Sequence, residues 1–287
     1  MTSAMKYMVL NGELVPENTT HPLFNNRGFY YGDGFFESMR FFDGKILLSD
    51  LHMQRLHRSL LLLEMNPEGF PDINTLESII DKVVNKNEIG KHGRARLSVF
   101  RSAPGNYTPD ENKTSYLLNI SSLDGPYSLP EKGFTAGIFT RQAKARGPLS
   151  AIKSLSSQLY VMAALHARKQ NWDESIIVNT SGHLIEATTS NLFLYYNHTL
   201  ITPALSEGCI DGVFRKYILD LADKNGIPFR EQIITETELS LADEVLLTNG
   251  IRGIQFVEKI GDKGYGKKMA TELHQLILKA VFGGKQR

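Results

Sequence analysis

Between Glu174 and Ala204 four short apolar runs, ESIIVN, HLIEA, NLFLYY and HTLITPA, follow one another with only turn residues between them. Runs this short and this closely spaced predict strands of one sheet. The sheet is interrupted within Gly182–Phe193, GHLIEATTSNLF, by a single acid, Glu186, and the small hydroxyl residues Thr188, Thr189 and Ser190, before Asn191 and a return to apolar residues. Two readings fit that interruption. One is a solvated loop. The other is a site where a carboxylate faces a cationic ring nitrogen, flanked by hydroxyls and amides suited to a phosphate. The stretch leaves both open, and the choice falls to its partners elsewhere in the chain.

Strands and helices alternate in both halves, which predicts a mixed α/β architecture. KYMVLNGELV reads as a hairpin with an Asn-Gly turn, and FFDGKILL as a second with Asp-Gly. Ser49 or Asp50 can cap a helix through HMQRLHRSLLLLEM, with Leu51, Leu56, Leu60 and Leu63 near the spacing of a buried stripe. His52, Arg55 and Arg58 on that helix read first as solvated. RARLSVFR alternates as a half-buried strand on which Arg96 and Arg101, an odd number apart, face opposite sides. Residues 123–132, LDGPYSLPEK, read as a linker, dividing a domain of residues 1–122 from one of 133–287.

The length of 287 residues suffices for one large or two medium domains. A net charge of +1 gives no electrostatic reason to expect nucleic acid or an acidic membrane. No apolar run approaches the roughly 20 residues that span a bilayer, and the first residues do not read as a secretory signal. The single cysteine, Cys209, excludes an intramolecular disulfide and agrees with a reducing cytoplasm. It has no adjacent basic cluster that would make it a nucleophile. The histidines show no metal-ligand spacing, so no metal is expected. GDKGYGK at 261–267 fits a phosphate-loop pattern, but Lys268 stands where a Ser or Thr would hold magnesium, so it reads as a turn.

Lys153 stands in AIKSLSS, between apolar and small hydroxyl residues rather than on a charged face. A lysine in a partly apolar pocket loses basicity and can serve as a Schiff-base amine. Pyridoxal phosphate chemistry needs such a lysine, an acid against the pyridine nitrogen, and a phosphate cup. Glu186 can supply the acid. A helix opening after Asp211-Gly212 would present free N–H groups to a phosphate, and Arg55, near a helix start, carries the fork-shaped guanidinium that suits one. Arg27–Arg40, RGFYYGDGFFESMR, sets glycines among aromatics that either wall a pocket or pack as a strand pair with a bulge.

The order Lys153, Glu186-Ala-Thr-Thr-Ser-Asn-Leu-Phe, Thr202-Pro203, Gly212 with Arg215, and Ala242-Asp-Glu-Val with Thr248-Asn249 resembles the fold-type IV pyridoxal phosphate enzymes, the class IV aminotransferase family. Tyr31-Gly-Asp-Gly-Phe-Phe-Glu-Ser-Met-Arg40 and His52-Met-Gln-Arg-Leu56 match the same family, so the resemblance spans nearly the whole chain. It implies two α/β domains with the active site between them, pyridoxal 5'-phosphate as cofactor, a small amino substrate and a homodimer. Lys153 would be the catalytic Schiff-base lysine and Glu186 the partner of the ring nitrogen. Arg55, Ser190, Asn191, Val213, Phe214, Asn249 and Gly250 would complete the cofactor site. Arg101 or Arg96 would meet the substrate carboxylate, with Tyr31 and Tyr107 as further substrate contacts. Gly-Asp-Gly at 32–34, Lys-Ser-Leu at 153–155 and Asn249 resemble the 4-amino-4-deoxychorismate lyases of folate biosynthesis more closely than the branched-chain aminotransferases, and an aminotransferase acting on branched-chain or D-amino acids is the alternative. The chain lacks the Asn-Arg pair common after the lysine in lyases. A relative that only binds a ligand is a third reading, against which the intact Lys153, Glu186 and Arg55 argue.

Overall fold

A computed structural model describes residues 6–16 and 26–283. The chain divides into two compact units, one of residues 1–125 with Lys153–Ser156, the other of 126–152 with 157–287.

The first unit is built on an antiparallel sheet. Its described strands are β1 (Tyr7–Leu10), β2 (Glu13–Pro16), β3 (Gly34–Phe42), β4 (Lys45–Ile46), β5 (His92–Arg101) and β6 (Thr114–Ser122), in the order β2-β1-β6-β5-β3-β4. The Asn11-Gly12 turn between β1 and β2 has positive φ at both residues, which is what a two-residue hairpin requires. On β5 burial alternates: Gly93, Ala95, Leu97 and Val99 are buried, while Arg94, Arg96 and Ser98 are half-buried. The short helix α1 (Arg27–Tyr31) precedes β3. α2 (Ser49–Leu62) and α3 (Ile73–Lys86) contribute the buried Leu56, Leu60, Leu76, Ile80 and Val83. Two expectations for α2 need correction. Its N-cap is Leu48, in the left-handed region with no side-chain cap, rather than Ser49 or Asp50. His52 and Arg55 are buried in it rather than solvated, and Leu51 and Leu63 are only half-buried.

The second unit centres on a mixed sheet of β7 (Phe134–Lys144), β8 (Glu174–Asn179), β9 (Leu184–Ala187), β10 (Asn191–Tyr196), β11 (Thr199–Pro203), β12 (Phe229–Gln232), β13 (Glu244–Asn249), β14 (Gly253–Ile260) and β15 (Lys263–Gly264). Its path runs β12-β11-β10-β13-β14-β7-β8-β9, and a pairing of Glu186 with Asn191 joins β9 back to β10, closing it. The four apolar runs of 174–204 are β8 to β11, and nearly every residue of β8, β9 and β10 is buried. α4 (Gln158–Lys169), α5 (Val213–Lys224), α6 (Glu236–Leu241) and α7 (Lys268–Phe282) complete the unit. The proline-rich stretch 123–132 does not run free. Tyr127 is buried between Phe214 and Phe282, and its hydroxyl donates to the Gly250 carbonyl at 3.0 Å.

Candidate active site

In the second unit Glu186 is 2% exposed on β9. Its Oε1 accepts from Lys144 Nζ at 2.7 Å and from the Tyr160 hydroxyl at 2.8 Å, and its Oε2 accepts from the Ile210 amide at 2.8 Å. A buried carboxylate is tolerated when its lone pairs are met this way. Burial, and then the Glu186 charge beside it, push the Tyr160 phenol well above its usual range, so it acts as a donor. Lys144 and Tyr160 were not legible as site residues. Lys144 reads as part of a basic loop, and Tyr160 as one aromatic in a helix.

Glu186, Asn191 and Thr248 are register partners across β9, β10 and β13, so their side chains lie in a row on one face of the sheet. Asn191 Nδ2 donates to the Ile210 carbonyl at 2.8 Å, and its Oδ1 packs against Gly212 so closely that a Cβ there would lie 1.8 Å away. Gly212 is the N-cap of α5 and has no side chain to cap it. The first-turn N–H groups, including those of Val213 and Phe214, have no acceptor within the helix. Thr248 in the same row is fully buried, and its hydroxyl has no hydrogen-bond partner among the described residues. Across from this row Asn249 ties two loops together. Its Nδ2 donates to the Thr189 carbonyl and Ser190 Oγ at 3.2 and 3.1 Å, and its Oδ1 accepts from the Ile251 and Arg252 amides at 2.9 and 2.8 Å. Sequence reading also missed Glu174, a buried acid whose pKa is raised by burial and which accepts from Thr189 Oγ1 at 2.9 Å. Cys209 is fully buried, and burial pushes its thiol up to about 12, so it is not a nucleophile.

In the first unit the segment Lys153–Ser156 lies along β3. The Phe36 amide donates to the Lys153 carbonyl at 2.8 Å, and the Leu155 amide to the Gly34 carbonyl at 3.0 Å. The glycines explain why it fits. A Cβ on Gly34 would lie 2.2 Å from the Val99 carbonyl and 2.8 Å from Leu155, and Gly32, with φ of 64°, abuts Ser156. Lys153 Nζ lies 4.5 Å from the centroid of the Phe36 ring, and the Arg96 guanidinium lies 3.8 Å from the same centroid. Arg96 makes no hydrogen bond or ion pair among the described residues, and burial lowers its pKa.

Arg101 is placed differently. Its Nε donates to Asp33 Oδ2 at 3.0 Å, its NH1 to the Glu64 carbonyl at 3.2 Å and to Asn112, and its NH2 to the Leu63 carbonyl at 2.6 Å. It fastens the end of α2 and the 102–113 loop, whereas Arg96 shares the Lys153 aromatic face. Arg55 is buried and forks onto Glu37, from Nε to Oε2 at 2.9 Å and from NH2 to Oε1, while His52 Nδ1 lies 2.8 Å from Oε1. Burial alone would raise the Glu37 pKa, but the Arg55 and His52 charges and hydrogen bonds bring it down to about 2. The Tyr31 and Tyr107 rings lie 5.6 Å apart and tilted by 47°, 40% and 88% exposed.

Among the described residues no group of three His, Cys, Asp or Glu could hold a metal ion, and no helix is long and apolar enough to cross a membrane. The family model for amino-transferase class IV matches residues 34–260. A D-alanine aminotransferase of Listeria innocua is 30% identical over 85% of this chain and 84% of its own. An aminodeoxychorismate lyase of Bacillus subtilis is 29% identical over 88% of this chain and 87% of its own. The branched-chain aminotransferase of Thermoproteus uzoniensis, 22% identical, shares the fold with a TM-score of 0.86 over 98% of this chain and 96% of that one. A family match over most of the chain, together with relatives aligned along more than four-fifths of their length, shows that this chain is an enzyme of the class IV aminotransferase family.

Proposed function

We propose that this enzyme uses pyridoxal 5'-phosphate, with Lys153 as the lysine that holds it, to convert 4-amino-4-deoxychorismate to p-aminobenzoate and pyruvate. The observation that carries the reading is the Phe36 face, where the amine of Lys153 and the unpaired guanidinium of Arg96 share one aromatic ring. An aromatic surface bearing two cations suits an unsaturated, carboxylated ring better than a branched aliphatic side chain.

The residues present fit the cofactor. The Glu186 carboxylate suits a protonated ring nitrogen. The open first turn of α5 at Val213 and Phe214 and the orphaned Thr248 hydroxyl suit a phosphate, as does the Asn249-Gly250 turn. Ser190 and Asn191 shape that cradle through Asn249 and Ile210. Arg55 carries the fork-shaped guanidinium that suits a phosphate, and in the first unit it is held on Glu37. The bound cofactor supplies an electron sink. Lys153 Nζ takes the proton from the amine-bearing carbon of the substrate. The bond from the neighbouring carbon to the enolpyruvyl oxygen breaks, its electron pair leaves with that oxygen, and protonation of the released enolpyruvate gives pyruvate. Arg96 holds a substrate carboxylate through the reaction. Lys144 and Tyr160 keep Glu186 oriented.

The D-alanine aminotransferase relative favours a second reading, transamination of D- or branched-chain amino acids. Both begin with the same proton transfer to Lys153. Purified protein is expected to show a yellow absorbance that borohydride bleaches, leaving the pyridoxyl mass on Lys153. Lys153→Ala should abolish both, and Glu186→Ala should keep the cofactor and lose most activity. A variant lacking Lys153 that still fixed the mass would overturn the assignment. Release of fluorescent p-aminobenzoate with an equal amount of pyruvate supports elimination, and keto-acid formation from D-alanine or a branched-chain amino acid supports transamination.

We read the domains as 1–122 and 133–287 with the four residues from Lys153 lent to the first, and the functional molecule as a cytoplasmic homodimer. Exposed Phe29, Tyr30, Tyr31 and Tyr107 on the first unit, and Val161, Met162 and Leu165 on α4, are the apolar surfaces that support pairing.

A further inference from the structure

We propose that Tyr127 is a positioning residue that holds two sets of phosphate-binding donors at a set separation. This rests on the reading of Val213, Phe214 and the Asn249-Gly250 turn as the phosphate cradle.

Tyr127 is 3% exposed, and the contacts that bury it come from three elements of the second unit. Its ring meets that of Phe214, the second residue of α5, with centroids 5.4 Å apart and planes tilted by 60°. Its hydroxyl donates to the Gly250 carbonyl at 3.0 Å, in the turn between β13 and β14. Both ends of the phenol therefore rest on residues whose own N–H groups are available. The Phe214 amide belongs to the first turn of α5, where no intrahelical acceptor exists. The Gly250 amide makes no hydrogen bond among the described residues. Gly250 has no side chain of its own to anchor it, and the anchoring comes through the peptide that follows. That plane is held at both edges, its carbonyl by Tyr127 and its N–H, on Ile251, by Asn249 Oδ1 at 2.9 Å. The ring itself is gripped from behind. Phe282, at the end of α7, lies edge-on with centroids 6.0 Å apart, and a Cβ on Gly253 would lie 3.0 Å from Tyr127 Cδ1. A rigid side chain so enclosed transmits position from one contact to the next. Donors held in place before the ligand arrives bind it more tightly, because their ordering is not charged to binding. Packing and positioning separate at one atom. A phenyl ring would fill the same space, and only the hydroxyl reaches the turn.

The test is titration of the full chain, freed of cofactor, with pyridoxal 5'-phosphate and with pyridoxal, which differ only in the phosphate. Binding is followed by absorbance, and circular dichroism confirms that each variant is folded. Tyr127→Phe is expected to weaken pyridoxal phosphate about tenfold, the effect of one buried hydrogen bond, and to leave pyridoxal unchanged. Tyr127→Leu, which also removes the ring from Phe214, should weaken pyridoxal phosphate further and again spare pyridoxal. A folded Tyr127→Phe protein that binds pyridoxal phosphate as the wild type does overturns the proposal. So does one that weakens both aldehydes alike, since a purely structural role would act on both. If the wild type binds the two aldehydes equally, the cradle reading falls and this inference with it. If the wild type prefers the phosphorylated form and Tyr127→Phe keeps that preference in full, this inference alone is removed.

Discussion

Glu37 shows how one side chain ties β3 to α2 and makes stability depend on pH. Its pKa falls from 4.5 to about 2 on folding, so the fold favours the ionised form. The stabilisation is complete above pH 4.5 and is lost as pH drops toward 2, with a size on the order of 3 kcal/mol. Glu37→Gln would leave the buried Arg55 charge without its fork. It should lower stability at pH 7 by about 3 kcal/mol and flatten the acid limb of the stability curve between pH 4.5 and 2. Urea unfolding at several pH values measures both, and an unchanged acid limb would remove Glu37 as the titrating group. The burial of His52 and Arg55 was not legible in the sequence because their partner lies on β3, distant along the chain. Helical spacing shows which residues share a face but not what a neighbouring strand offers them. Arg96 and Arg101 were separable in part: strand parity put them on opposite sides, and only the packing of Asp33, Asn112 and the α2 carbonyls showed which one was committed elsewhere.

Among the elements, the start of α5 is where backbone and side chain most constrain each other. Gly212→Ala would drive a Cβ into Asn191 Oδ1, and overpacking of that kind costs about 1–3 kcal/mol. It should also weaken pyridoxal phosphate retention by displacing the first turn. Adding Asn191→Ala should recover part of the stability, because it removes the atom that the new methyl meets. Thermal unfolding of the two single variants and the double variant gives the coupling; strict additivity would show that the contact is not the cause. Gly32 and Gly34 act similarly for Lys153–Ser156. Their presence in the sequence was plain, and so was the helix after Gly212. The object each glycine makes room for was not, because Leu155 and Asn191 reach these sites only through tertiary packing.

For the whole molecule, the alternation of strands and helices was enough to predict the mixed α/β class, and the hairpin turns placed several strands. The closure of the second sheet through Glu186 and Asn191 was beyond the sequence, since register is set by pairing between strands and leaves no local trace. The exposed aromatics of α1 and the 102–113 loop carry a prediction at this scale. Light scattering should give the mass of two chains in solution. Replacing Tyr30 and Tyr107 by Ser should shift it toward one chain, without loss of unfolding cooperativity in each unit. A wild-type protein that is monomeric at micromolar concentration would remove the pairing.

The chain passes between its two units at 125/126, 152/153 and 156/157, so that four residues of a later segment are seated on an earlier strand. Inheritance is constrained accordingly. A hybrid of two relatives joined at residue 125 would bring the Lys153–Ser156 segment from one parent and the glycines that seat it from the other. The halves of such an enzyme are therefore not interchangeable parts, and Gly32, Gly34 and Lys153–Ser156 must change together or not at all.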